Sequence, residues 1–330
     1  MKKFIIITSI NEPTTAVSAF AAFSDHELIV VGDAKTNPAW KFNGANYLSV
    51  EAQNNMDAGL GRHLPYHHYS RKMLGYLLAI KAGADTIIDA DDDIIPKAQW
   101  QFPEWVGEFD CIASGSGFVN IYRFFTDQFI WPRGLPLKEV MNESKPEISS
   151  LKDARKVGIW QGLSDIQPDV DAIYRLTNNR DCIFNVRVPL VLGPHTISPI
   201  NSQNTAFGKA AFPLLYLPTQ ASFRFTDILR GYVAQPILWL YNLHIGFTGA
   251  NTIQKRNPHN NFEDFLDEMT MYQHAGNITN IVLDQISGKN SIEQNLFNAY
   301  EGLARQKIIS EKELPVLEAW LKDLQDMKGE

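Results

Sequence analysis

Three apolar, β-branched runs fall within the first ninety or so residues: FIIIT at 4–8, ELIVV at 27–31 and TII at 86–88. Each reads as a strand, and what lies between them reads as helix. The turn Asn11-Glu12-Pro13 leads into a small-residue helix over Thr14–Phe23. The segment Tyr69–Ala82 has helical spacing, with Met73, Tyr76, Leu77 and Ile80 on one face and Gly83 as its stop. Tyr47–Val50 adds a short third strand. Strands alternating with helices imply an α/β fold whose parallel sheet is joined by right-handed crossovers. Ligands of such sheets sit at the carboxyl ends of the strands. Asp33 and the run Asp91–Asp93 both fall at such ends.

The run DTIIDADDDIIP (85–96) places Asp89, Asp91, Asp92 and Asp93 within five residues, and like charges this close need a positive partner. Hard divalent cations take oxygen ligands, and Mg²⁺ or Mn²⁺ typically bridges one or two carboxylates to phosphates. A D-x-D at a strand end suits a metal holding the diphosphate of a nucleotide sugar. The alternatives are a solvated acidic turn, or a calcium loop, whose spaced ligands and glycine Ile94-Ile95-Pro96 do not supply. Asp33 reads either as a ribose or base contact or as a turn aspartate. No GxGxxG follows the first strand, which argues against a dehydrogenase. Arg71 and Lys72 stand in the first turn of a helix that Ser70 can cap, where cations oppose the dipole. A bound phosphate would explain them, and so would a solvated face. His63, His67 and His68 do not read as a metal site, because Pro65 breaks any helix there.

A chain of 330 residues, 45% hydrophobic, can build a large core in one or two domains without staples. A net charge of −7 with no basic stripe excludes the usual nucleic-acid binder. Cys111 and Cys182 form neither a disulfide framework nor a zinc signature. The opening MKKFIIIT is too short an apolar run for a signal peptide, and no stretch reaches transmembrane length, so a cytoplasmic protein is expected. Residues 110–260 carry aromatics and Pro-rich turns, read as further strands and long loops. Residues 261–330 read as helices, one from Asn261 to His274 and others within Ile292–Met327.

The stretch YSRKMLGYLLAIKAGADTIIDADDDIIP (69–96) resembles the nucleotide-sugar half of the STELLO-type glycosyltransferase-like proteins, which themselves resemble the reversibly glycosylated polypeptides, the UDP-arabinopyranose mutases among them. WPRGLPLKEV (131–140), QPDVDAIYRLTNNRD (167–181), NSQNTAF (201–207), FRFTDILRGYVAQ (223–235) and QKRNPHNNF (254–262) follow in the family's order. The resemblance implies a GT-A-like, Rossmann-like nucleotide-diphospho-sugar transferase fold with a mixed central sheet and C-terminal helices. Residues 1–265 would be the catalytic domain, with a nucleotide-binding half to about 110 and an acceptor half beyond, and 266–330 a helical extension. It implies that Asp91 and Asp93 hold the metal-diphosphate, with Asp92 beside them, and that Asp33 contacts the nucleoside. Arg133 and Arg123 match functional arginines, and Asp227 an acidic residue facing the sugar. Asp169 and Asp171 match a further pattern, and could equally form a turn. His244 and His259 are candidates for the third metal ligand.

The expectation is a metal-dependent glycosyltransferase using Mn²⁺ or Mg²⁺, a nucleoside diphosphate sugar and an unknown acceptor. Arg71, Lys72 and Arg133 would add positive charge at the diphosphate, and Asp227 would act as base or sugar contact. A nucleotide-sugar mutase and a non-catalytic nucleotide-sugar-binding protein are the alternatives. Neither nucleic acid nor a transmembrane segment is expected, and a homo-oligomer is left open.

Overall fold

The computed structural model describes residues 1–150, 155–256 and 260–328. Its sheet begins as the sequence requires. Strands β1 (Lys3–Thr8), β2 (Glu27–Val31), β3 (Ala45–Leu48) and β4 (Thr86–Asp91) lie parallel in the order β3-β2-β1-β4. Phe4 and Ile6 point into one hydrophobic core, Ile5 and Ile7 into the other. Burial on both faces is why these strands are continuous apolar runs rather than alternating ones. The expected third strand ends two residues early. Ser49 Oγ accepts the Ala52 N–H and caps helix α2 (Val50–Asn54), which begins where a strand was expected to end.

Helix α1 (Thr15–Ala21) is capped by Thr14, whose Oγ1 accepts the Val17 N–H and donates to the Asp92 carbonyl at 2.7 Å. Helix α3 (Lys72–Lys81) follows a 3₁₀ turn over Tyr69–Arg71. It lies so close to the sheet that a Cβ on Gly75 would meet the Ile6 and Val31 Cγ2 atoms at 2.6 and 2.7 Å. Gly83, at φ +82°, ends it: its N–H reaches the Ile80 carbonyl and the Ala84 N–H the Ala79 carbonyl. Lys72, Leu74 and Ala79 are buried along with Met73, Tyr76 and Leu77, so α3 buries more than one face.

Beyond β4 the sheet turns mixed. Strand β5 (Arg155–Ile166) pairs antiparallel with β6 (Asn204–Gly208), which also lies antiparallel to β4; β7 (His244–Gln254) runs parallel to β5. A short helix α4 (Ala172–Thr177) follows β5, and the long helix α5 (Thr226–Leu240) is buried from Thr226 to Leu238. Where one helix was expected from Asn261 to His274, α6 (Asn261–Asp267) and α7 (Met269–Leu283) meet at a bend. Ser222 Oγ takes the Asp267 carbonyl and the Arg224 N–H its carboxylate, and Glu268 turns inward. Helices α8 (Ile292–Arg305) and α9 (Glu313–Lys328) complete the chain, and their buried side chains join the same cluster as β1 and α5. This is an α/β fold with a Rossmann-like parallel half, a large mixed sheet and C-terminal helices, consistent with the expected GT-A-like type.

Candidate active site

Register fixes the site. Thr8 of β1 pairs with Val31 of β2 and with Asp91 of β4, so three strand ends finish in one row. A two-lobed cleft opens there. The first lobe, about 230 Å³, is lined by Asn11, Asp33, His68, Arg71 and others. The second, about 260 Å³, includes Asp91, Asp93, Arg133, Asp227, Gln254 and Arg256. Thr8, Tyr69, Asp92 and Phe223 line both.

Part of the positive charge that the aspartate run requires is built into the protein. Lys72 Nζ, fully buried, donates to Asp89 Oδ1 at 2.7 Å, the Ala90 carbonyl at 2.8 Å and Asp91 Oδ1 at 3.0 Å. Arg230 of α5 takes the other oxygen of buried Asp89 at 2.8 Å. Asp92 Oδ2 accepts from Ser9 Oγ and, at 2.9 Å, from Asn11 Nδ2. Asp93 Oδ2 accepts from Gln254 Nε2 at 3.3 Å. Burial pushes the Asp91 carboxyl up to about 7; Lys72 opposes the rise, while Asp93 and Asp89 add to it. Burial raises Asp93 too, against Gln254 and Arg256.

The first-turn cations of α3 do not stand on a solvated face. All three Lys72 protons go to protein oxygens, and Arg71 is buried, with Nε on Gln53 Oε1 at 2.7 Å and Nη1 on the Leu64 carbonyl at 3.2 Å. Arg133 is likewise held inside. Its Nε and Nη2 grip Asp169 and its Nη1 and Nη2 grip Asp227, every contact at 2.9–3.0 Å, and Nη1 also reaches the Arg224 carbonyl. All five of its donors are thereby engaged. Burial disfavours the charge, yet Asp169 and Asp227 raise the guanidinium well above its ordinary value. Asp227 also accepts the Ser202 N–H and does not cap α5, where Phe225 holds the cap position without a side-chain bond. Asp171, by contrast, does cap: it accepts the Tyr174 N–H at the start of α4.

Other expected residues lie elsewhere. Arg123 lines neither lobe: buried Ile121, Tyr122 and Phe124 fix its 3₁₀ turn, and its guanidinium donates to the Asn142 carbonyl. His244 opens β7, buried against the Leu192 carbonyl, away from both lobes. His259 falls outside the described residues. Among the described residues no three or more His, Cys, Asp or Glu side chains gather to hold a metal. His67 and His68 line the first lobe, while His63 lines a separate cleft against α9.

Residues that spacing did not reveal complete the walls. The His68 and Tyr69 rings stack with centroids 5.3 Å apart, and Phe223, 52% exposed, meets Tyr69 edge-on at 4.7 Å. Gln254, Arg224 and Arg256 line the second lobe. QKRNPHNNF contains two of them, but nothing in its spacing marks a site.

Fold and cleft together define a Rossmann-like α/β protein with a candidate site at the strand ends. Residues 224–330 match the family model for the STELLO glycosyltransferases. Across 98% of its length the chain is 28% identical to "Probable glycosyltransferase STELLO2" and to "Probable glycosyltransferase STELLO1", both of Arabidopsis thaliana, and it spans 44% of the length of each. The STELLO likeness read from the motifs is thereby shown; a relation to the reversibly glycosylated polypeptides is not. A solved structure titled "Crystal Structure of a Mycobacterial Protein" aligns over 85% of this chain and 72% of that one, at 10% identity and a TM-score of 0.36. That score carries no argument, and the fold rests on the strand order.

Proposed function

We propose that the cleft binds a nucleoside diphosphate sugar and that the protein is a glycosyltransferase passing the sugar to an acceptor. The observation that carries this reading is the pair of lobes meeting at Asp92, with Asp33 in one and Asp91 and Asp93 in the other. The STELLO family match and the names of the two relatives support it. The nucleoside lies in the first lobe, against Tyr69 and Phe223, and the sugar in the second. The cleft's lining residues all fall before residue 266, and α7 and α8 pack against α5.

A divalent cation, Mn²⁺ or Mg²⁺, fits Asp91 and Asp93. Lys72 and Gln254 take one oxygen of each, and both carboxylates are raised by burial with like charge nearby, which a cation would relieve. With two carboxylates from the protein, the remaining ligands would be phosphate oxygens and water. When bound it would supply positive charge for the leaving diphosphate. The chain's own contribution is positioning. Arg224, paired with Glu268, and Arg256, paired with Asp264, set cationic side chains in the second lobe, Tyr69 and Phe223 line both lobes, and the Asp169–Arg133–Asp227 clamp lines the second.

A thermal-shift screen of nucleotide sugars, with and without Mn²⁺, tests binding, since a ligand of the native state raises the melting temperature. Labelled sugar passed from the best donor to an acceptor is the expected next result. A donor isomerised with no acceptor present would make the protein a mutase instead. No shift with any donor would overturn the reading.

A further inference from the structure

Two arginines line the second lobe, each held by a buried carboxylate. Arg224 gives Nε to Glu268 Oε1 at 2.6 Å, and Arg256 gives Nη2 to Asp264 Oδ2 at 3.2 Å. Their backbones are pinned as well. The Arg224 N–H donates to Asp267 Oδ2 at 2.7 Å and the Arg256 N–H to Gln167 Oε1 at 2.8 Å. Glu268 has little more to give, since its other oxygen accepts the Ala172 N–H and the Tyr272 hydroxyl. Arg224 Nη2 is nonetheless buried without a hydrogen-bond partner among the described residues. A third guanidinium, Arg175 of α4, is buried nearby, with Nη2 on the Pro168 carbonyl at 2.7 Å. These cations repel one another. Burial and then Arg256 bring Arg175 down to about 10, and burial and then Arg224 lower Arg256; Asp169 opposes both.

Resting on the nucleotide-sugar reading above, we propose that the second lobe takes a sugar bearing a carboxylate, a uronate, gripped by Arg224 Nη2 and the Arg256 guanidinium. A neutral sugar offers these groups only hydroxyls, which leave the repulsion between the cations and most of the cost of burying them in place. A carboxylate relieves both, and its two oxygens suit guanidinium donors arriving from two side chains. Orientation follows from charge. Asp91 and Asp93 line the same lobe, and like charge turns the carboxylate away from them and toward the arginines. The carboxylate belongs either to the transferred sugar or to an acceptor sugar beside it.

Calorimetric titration of the full chain, with Mn²⁺ present, compares UDP-glucuronate with UDP-glucose and GDP-mannuronate with GDP-mannose, pairs that differ only at the sugar C6. Methyl glucuronoside against methyl glucoside, titrated onto the chain saturated with UDP or GDP, forms the acceptor arm. The uronate is expected to bind at least about tenfold more tightly in one arm, the scale of a hydrogen bond to a charged group. A preference among the donors puts the carboxylate on the transferred sugar; one confined to the second arm puts it on the acceptor. Arg224→Lys keeps a cation for Glu268 but removes Nη2, and should cut the preference to within about threefold. A preference unchanged in that variant, or both members of a pair weakened by one factor as a diphosphate contact would give, overturns the proposal. Equal affinity within every pair of both arms overturns it too and leaves sugar transfer standing. Binding of none of the four donors overturns both. If Arg224→Lys does not fold, Arg256→Gln is read against the same ratio.

Discussion

Lys72 Nζ stands 3.0 Å from Asp91 Oδ1 and 2.7 Å from Asp89 Oδ1, with its side chain wholly buried. A lysine from the start of one helix thus holds the end of the strand that carries the acidic run. Lys72→Met should leave Asp89 with Arg230 alone and Asp91 without its cation. Removing one partner of a buried pair typically costs about 3–5 kcal/mol. Urea denaturation of the two proteins measures this, and a loss below about 1 kcal/mol would show that the pair does not support the fold.

Asp93 is placed differently. It is only half-buried, and its contact with Gln254 is long, at 3.3 Å. Asn can keep that contact while losing the charge. Asp93→Asn should therefore melt within a degree or two of wild type, since substitutions that leave contacts in place usually cost little. Its Mn²⁺-dependent affinity for a nucleotide sugar should fall at least about tenfold. An unchanged Mn²⁺ response in a calorimetric titration removes Asp93 from the cation site.

How much of this was legible in the sequence follows from range. β1, β2, β4 and α3 could be read because apolar runs and helical spacing are local signals. The strand-end placement of Asp33 and Asp91–Asp93 followed from that alternation. The roles of Lys72 and Arg133 could not be read. Lys72 meets Asp89 across 17 positions, and Arg133 meets Asp169 and Asp227 across 36 and 94. No spacing rule states that the first turn of α3 lies over the end of β4. Gln53 was invisible for the same reason. It belongs to a five-residue helix that begins where a strand was expected to end, and its importance lies in what it touches.

Asp227 illustrates the consequence for a substitution. Read from sequence it is a base or a sugar contact. In the structure its carboxylate faces the Arg133 fork, with both Nη atoms within 3.0 Å. Asp227→Asn turns an amide donor toward a guanidinium. It should cost about 2–4 kcal/mol and lower the melting temperature, so lost turnover in this variant alone would not identify a base. A melting temperature equal to wild type, measured by calorimetry, would show that Asp169 alone suffices to hold Arg133.

The final expectation concerns pH. Asp171 is fully buried, accepting from the Tyr174 N–H and, at 2.7 Å, from Trp131 Nε1. Burial pushes its carboxyl up to about 6; the two donors lower it, and the Glu268 charge adds to the rise. A carboxyl raised above its unfolded value of 3.8 binds its proton more tightly in the folded state. Its contribution to stability is fully present below pH 3.8 and is lost as pH rises through about 6. Asparagine caps a helix about as well as aspartate but does not titrate, and it leaves Trp131 Nε1 facing an amide. Wild type should therefore be the more stable at pH 5, and its advantage over Asp171→Asn should shrink by pH 7.5. Urea midpoints of both proteins at the two pH values give the difference, in which groups unaffected by the substitution cancel. An advantage that grows with pH would mean that the folded protein favours the ionised carboxylate, and that its two hydrogen-bond donors outweigh burial.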